Sequence, residues 1–194
     1  MTSRLILASA SPRRRELLAQ LGLIFDVSPA DLDETPVAGE SPRVYVERLA
    51  RQKAAHVARA NPGAVVLAAD TTVVADGVIL GKPADDAEGR AMLERLSGRS
   101  HAVLTGVAVS TGPALHSLVI ETEVRFRTLR AEEIAWYVGT GEGRDKAGGY
   151  GLQGRAAAFI AAITGSSTSV IGLPLAETVE LLQTAGVPFP WSPR

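Results

Sequence analysis

No cysteine occurs anywhere in the 194-residue chain. A disulfide framework, a thiolate zinc site and a cysteine nucleophile are thereby excluded, and a reducing compartment fits. Histidine is nearly as scarce. His56, His101 and His116 are dispersed without HExxH spacing, so an imidazole-held metal is not expected, while oxygen ligands for a hard cation remain open. Aromatic residues are only 5% of the chain, which argues against the aromatic-basic groove of a nucleic-acid binder. The charge has no dominant sign: 20 Lys+Arg against 21 Asp+Glu leave −1 at pH 7. No global field would hold such a chain on DNA, RNA or an anionic membrane, and any anion binding has to be local. Long apolar runs are missing too. The longest, AAAFIAAI at 156–163, has eight residues, well below the ~18 of a membrane span. Ala8-Ser9-Ala10 has the A-x-A form of an export cleavage site, but the apolar run at 5–8 is too short for a signal core, and the arginines follow it instead of preceding it. The expected location is the cytoplasm, with neither nucleic acid nor membrane as partner.

What is present reads as one compact domain over residues 1–194, built as two lobes around a cleft, since 46% of the residues are hydrophobic and 21% charged. Residues 5–9 read as a buried strand, then Ser11 and Pro12 open a helix that Gly22 closes. A second strand near 24–27 leads to the acidic loop DLDETPVAGESP, and Ser41-Pro42 opens a second helix that stops at NPG, 61–63. An apolar strand runs to Ala69, Asp70 ends it, and Asp76-Gly77 turns a hairpin. A helix closed by Gly98 and strands at 101–110 and 115–127 follow. The second of these strands alternates Leu118, Ile120, Thr122, Val124 and Phe126 with charged neighbours. A helix at 131–138, a segment with seven glycines in sixteen residues (139–154), a strand at 157–163, a loop at 165–174 and an amphipathic helix at 175–185 finish the chain. The mixture of hairpins and crossovers predicts an α/β fold, a mixed sheet with flanking helices.

Three loops carry candidate chemistry. In SASPRRR, the first-turn arginines Arg13, Arg14 and Arg15 stand at the end of a helix that disfavours cations by a few tenths to ~1 kcal/mol. A solvated surface would explain them. Together with Ser9, Ser11 and the free N–H groups of a helix start, they would instead make a phosphate cradle. It is not a P-loop, because G-x-x-x-x-G-K-[ST] is absent. In ADTT followed by GKP, Asp70 follows a buried strand, where a carboxylate can meet a metal-bound phosphate or an attacking water. Asp33 and Glu34 could add oxygen ligands for Mg²⁺, although an acidic loop alone reads as solvated surface. Lys53 is ordinary by itself, whereas Lys82, between Gly81 and Pro83, is restricted in where it can point. In GEGRDKAGGYGLQG, the glycines allow close approach of backbone to a ligand, and Gln153 offers a donor and an acceptor side by side, suited to a base edge.

The segments LASASPRRRELL, YVERLARQKA, AADTTVVADGVILGKP, LSGRSHAVLTGVAV, GEGRDKAGGYGLQG and VIGLPL occur in that order. They resemble the motifs of the Maf family of nucleoside triphosphate pyrophosphatases, over residues 5–182. The resemblance implies an inosine-triphosphatase-like fold, a mixed β-sheet in two lobes with a central cleft. It also implies a homodimer, and Mg²⁺-dependent (Mn²⁺ as the other candidate) cleavage of a nucleoside triphosphate to monophosphate and pyrophosphate. The position of Asp70 matches the family's proton acceptor, and the form DKAGGYGLQG resembles the branch acting on dTTP and UTP, whose distinguishing positions fall on Arg13, Thr71 and Gln153. Uracil and thymine present acceptor, donor, acceptor along one edge, which an amide could satisfy. A cationic methylated purine is better held between aromatic faces.

On this reading Asp70 and Glu34 hold the metal, and Arg14, Lys53 and Lys82 offset charge on the leaving pyrophosphate. Ser9, Ser11, Arg13, Thr71 and Gln153 bind substrate. The alternatives are a pyrophosphatase for 7-methyl-GTP or another nucleotide, and a non-catalytic nucleotide sensor regulating septum formation.

Overall fold

The computed structural model describes residues 4–192. One seven-stranded mixed sheet carries the fold. Its elements are β1 (Leu5–Leu7), α1 (Pro12–Ala19), β2 (Asp26–Val27), α2 (Pro42–Ala60), β3 (Val65–Ala75), β4 (Val78–Leu80), α3 (Asp86–Leu96), β5 (Ser100–Ser110), β6 (Leu115–Phe126), α4 (Ala131–Gly139), β7 (Ile160–Thr164), α5 (Ser167–Ile171) and α6 (Leu175–Thr184). The strand order is β2-β1-β3-β5-β6-β7, with β4 also pairing β3. β1 runs parallel to β2 and β3, whereas β4 and β7 are antiparallel to their partners. No helix among the described residues is long and apolar enough to cross a membrane.

The chain divides into two compact units, and it passes from one to the other within β3, β5 and β6 and once more after α5. The first unit comprises residues 1–70, 105–120 and 172–194; the second comprises 71–104 and 121–171.

In the first unit β1 is buried throughout, because parallel strands covered on both faces are apolar along their whole length. Ser11 and Ser41 cap α1 and α2 as their Ser-Pro dipeptides predict, each hydroxyl accepting from the backbone N–H three residues on. The buried face of α2 carries a row of alanines: Ala50, Ala54 and Ala58 at i, i+4, i+8 pack with Ile6, Val66 and Ala108. Small side chains bring the helix close to the strands, and Gly106 on β5 makes the closest approach. A Cβ there would collide with the carbonyl oxygen of Val46. Gly106→Ala is therefore expected to lower the free energy of unfolding by about 1–3 kcal/mol, the usual cost of overpacking, measured by urea denaturation.

In the second unit the core is aromatic and aliphatic. Phe126, Tyr137 and Phe159 are at most 2% exposed and pack with Leu93 and Leu96. The alternation read in β6 is found where the strand enters this unit: Thr122, Val124 and Phe126 face inward and Glu121, Glu123 and Arg125 outward.

Four elements differ from the sequence reading. β3 does not end at Asp70 but continues to Ala75, because Thr71-Thr72-Val73-Val74 is a β-branched run that prolongs the extended chain. The strand expected at 24–27 shrinks to two residues, and Ile24 is 96% exposed. Residues 155–159 form a 3-10 turn ahead of β7, since Ala156-Ala157-Ala158 lacks the branched side chains that favour a strand. The expected loop at 165–174 contains the short helix α5, whose Ser166 hydroxyl accepts from the Ser169 N–H.

Candidate active site

Six of the sequence-predicted residues come together in the first unit. Asp70 lies within β3 and is 7% exposed; Lys53 lies on α2, also 7% exposed. The lysine ammonium stands 2.7 Å from Asp70 Oδ1 and 2.7 Å from Glu34 Oε1. One cation thus bridges two carboxylates, one from a buried strand and one from the irregular acidic loop.

Arg14 completes this group from the first turn of α1. Its Nε donates to the carbonyl of Gly172 at 2.8 Å and its Nη1 to Ser9 Oγ at 3.3 Å. Ser9 Oγ also accepts from the Ser11 N–H at 3.2 Å, so the hydroxyl fixes both the guanidinium and the turn into α1. Arg13, in the same turn, is half-buried. Burial pulls the Arg14 pKa down, Asp70 and Glu34 push it back up, and Arg13 pulls it down further. The nearby carboxylates favour the Arg14 charge at the end of a helix whose macrodipole disfavours cations. For Asp70 the dominant effect is burial, which raises its pKa, opposed by Lys53 and Arg14, with Glu34 raising it further. The carboxylate is thus more basic than in water, while it stays paired with Lys53 and feels the charge of Arg14.

Among the described residues no cluster of three or more His, Cys, Asp or Glu could cage a metal ion. The two converging carboxylates fit a different kind of site. Mg²⁺ commonly takes one or two carboxylates and completes its shell with substrate phosphates and water.

Thr71, Lys82 and Gln153 belong to the second unit. Thr71 is half-buried on β3, Lys82 is exposed beyond β4, and Gln153 is exposed in the glycine-rich segment. That segment is a packed loop. A Cβ at Gly143 would strike the Gly149 carbonyl, one at Gly154 the Glu142 carboxylate, and Gly148, at φ +69°, lies against Val73. Glu142 organises it: its carboxylate accepts from the Arg155 N–H at 2.8 Å, the Arg155 guanidinium at 3.1 Å and the Tyr137 hydroxyl at 3.3 Å.

Sequence reasoning missed Glu142, and it also missed Tyr45 and Arg48, which hold the acidic loop from α2. The Tyr45 hydroxyl donates to the carbonyl of Glu34 at 3.1 Å, and its pKa is pushed up to about 12 by burial and by the charges of Asp70 and Glu34. The available signal was the spacing: a tyrosine and an arginine at i, i+3 follow an acidic loop on the helix that carries Lys53.

The sequence matches the Maf-like protein family over residues 4–185. A dTTP/UTP pyrophosphatase of Myxococcus xanthus (strain DK1622) is 57% identical, covering 96% of this chain and 95% of that protein. A dTTP/UTP pyrophosphatase of Anaeromyxobacter dehalogenans (strain 2CP-C) is 56% identical, covering 98% of each. One of Symbiobacterium thermophilum (strain DSM 24528 / JCM 14929 / IAM 14863 / T) is 57% identical over 96% of each. With a family match over nearly its whole length and relatives at this identity, the chain belongs to the Maf-like protein family.

Proposed function

We propose that this protein is a nucleoside triphosphate pyrophosphatase that hydrolyses dTTP and UTP to the monophosphate and pyrophosphate. The observation that carries the reading is the meeting of Asp70 and Glu34 on the Lys53 ammonium, each at 2.7 Å, beside Arg14. The relatives named as dTTP/UTP pyrophosphatases support the choice of substrate.

In this scheme Asp70 orients and deprotonates a water that attacks the α-phosphorus. The bond from that phosphorus to the α–β bridging oxygen breaks, and pyrophosphate leaves with the bonding electron pair. Burial suits Asp70 to the task by making its carboxylate a better proton acceptor. A divalent cation, Mg²⁺ or Mn²⁺, held by Asp70 and Glu34 would supply Lewis-acid stabilisation of the triphosphate oxygens. Arg14, Lys53 and Lys82 offset charge building on the pyrophosphate, with Ser9, Ser11 and the start of α1 receiving phosphate oxygens. Arg13, Thr71 and Gln153 contact the nucleoside, Gln153 by pairing its amide with the acceptor-donor-acceptor edge of the pyrimidine. The protein works in the cytoplasm as a homodimer.

The test is a panel of triphosphates with purified protein and Mg²⁺, with pyrophosphate and orthophosphate measured separately. UTP and dTTP are expected to give monophosphate and pyrophosphate faster than 7-methyl-GTP does. Orthophosphate as the sole released product, or saturable binding without turnover, would overturn the proposal.

A further inference from the structure

Residues 28–41 form neither helix nor strand, and the Glu34 side chain in this loop is 48% exposed, yet its carboxylate sits 2.7 Å from the Lys53 ammonium. Ordering a glutamate side chain costs rotamer entropy. A single ion pair whose carboxylate is half-exposed to solvent returns little against that cost. The pair by itself does not hold the loop, so something else fixes it.

Arg48 on α2 has the geometry to do so. Its Nε and Nη2 grip the two oxygens of Glu40 at 2.7 Å each, and Nη2 also donates to the Thr35 carbonyl at 3.3 Å. The Glu40 side chain is only 5% exposed, and its carboxylate accepts from the Val37 N–H at 3.1 Å. The Arg48 guanidinium lies 5.6 Å from the centre of the Tyr45 ring, and the Tyr45 hydroxyl holds the Glu34 carbonyl. Both ends of the 34–40 stretch are thus tied to the helix that carries Lys53. A planar fork matched to a carboxylate fixes direction as well as distance, which a lysine ammonium would not.

We propose that Arg48 is a positioning residue for the reaction centre: by gripping Glu40 and the Thr35 carbonyl it holds the loop so that the Glu34 carboxylate stays at Lys53 and Asp70. The proposal rests on the reading of Glu34 as a carboxylate that helps to hold the divalent cation.

The experiment compares Arg48→Met, Arg48→Lys, Glu34→Gln and the Arg48→Met/Glu34→Gln double variant. Mn²⁺ binding to the nucleotide-free protein is followed by the electron paramagnetic resonance of free Mn²⁺. The Mn²⁺ concentration for half-maximal activity and the KM for UTP at saturating Mn²⁺ are measured alongside. Arg48→Met is expected to weaken Mn²⁺ binding about tenfold, as loss of partners behind metal ligands commonly does. It should raise the half-activating concentration by the same factor and leave the KM for UTP within about twofold. The double variant is expected to be no worse than Glu34→Gln alone, because the two residues act through one carboxylate.

Losses that multiply in the double variant would overturn the proposal. So would an Arg48→Met protein that melts earlier but binds Mn²⁺ like the wild type. If Arg48→Met does not fold, Arg48→Lys carries the same readings, together with faster hydrogen exchange at the Val37 amide; unchanged exchange and unchanged Mn²⁺ binding in that variant also overturn it. If Glu34→Gln leaves Mn²⁺ binding and activation unchanged, the reading of Glu34 falls and the proposal falls with it. If Glu34→Gln weakens binding and the Arg48 variants do not, only the positioning role fails.

Discussion

Asp70→Asn is expected to lower the turnover of UTP and dTTP by about 10²–10³-fold, a rise of ~2.7–4 kcal/mol in the barrier, the range seen when one preorganised group is removed from a reaction centre. The substitution keeps the size and shape of the side chain and takes away its charge and its proton affinity. Both matter in the proposed scheme, because Asp70 accepts a proton from water and contributes a hard oxygen to the cation. Folding is a separate question, since breaking a buried ion pair by removing one partner can itself cost ~3–5 kcal/mol. Here the Lys53 ammonium retains Glu34 at 2.7 Å, so it is not left uncompensated. The amide oxygen of the substituted side chain can also still accept the hydrogen bond that Asp70 Oδ1 accepts now. The expected pattern is therefore a large loss of turnover with a small loss of stability. Initial rates of pyrophosphate release, with a melting curve on the same preparation, check both halves. Turnover close to wild type would remove Asp70 from the role given to it.

The separation between local and long-range information explains how much of this centre was legible beforehand. Ser11-Pro12 and Ser41-Pro42 announce helix starts because capping chemistry acts within three residues, and both helices begin there. Asp76-Gly77 likewise announces the β3–β4 turn, with both residues at positive φ. The meeting of Glu34, Lys53 and Asp70 has no such local signature. It depends on α2 lying close against the sheet, which the alanine face and Gly106 permit, and Gly106 is 53 residues from the lysine it helps to place. Lys53 became a candidate through the resemblance of its motif, and Glu34 only as one member of an acidic loop. Arg48 and Glu40 escaped notice for the same reason: an arginine on a helix and a glutamate before a cap look like solvated charges until the loop folds back on the helix. The glycine-rich segment was legible as unusual but not as packed, because the collisions that require glycine involve the Gly149 carbonyl, the Glu142 carboxylate and the Val73 side chain, none of them an immediate neighbour.

Acidification from pH 6.5 towards pH 4 is expected to remove about 3 kcal/mol of stability through His101. This residue is 4% exposed at the start of β5. Its Nε2 lies 2.7 Å from the Tyr150 hydroxyl, and its ring meets Phe126 and Tyr150 edge-on at 5.1 and 5.5 Å between centroids. Nδ1 has no hydrogen-bond partner among the described residues. Nothing in this environment welcomes a second proton, and burial lowers the pKa from 6.5 to about 4. Burial raises the Tyr150 hydroxyl well above its usual value, so it stays neutral and offers no compensating charge. The sign follows from proton counting. Between pH 6.5 and pH 4 the unfolded chain has His101 protonated and the folded chain does not, so each proton added favours unfolding and stability falls as pH falls. The interval between the two values, at about 1.36 kcal/mol for each pH unit, gives the magnitude. Urea denaturation between about pH 4 and pH 7.5, on wild type and His101→Gln, isolates this contribution, because other groups titrate in both proteins and cancel in the difference. The variant starts from lower stability at neutral pH, having lost the aromatic packing, but its curve should be flatter across the window. Parallel curves would mean that His101 takes its proton in the folded protein despite its burial.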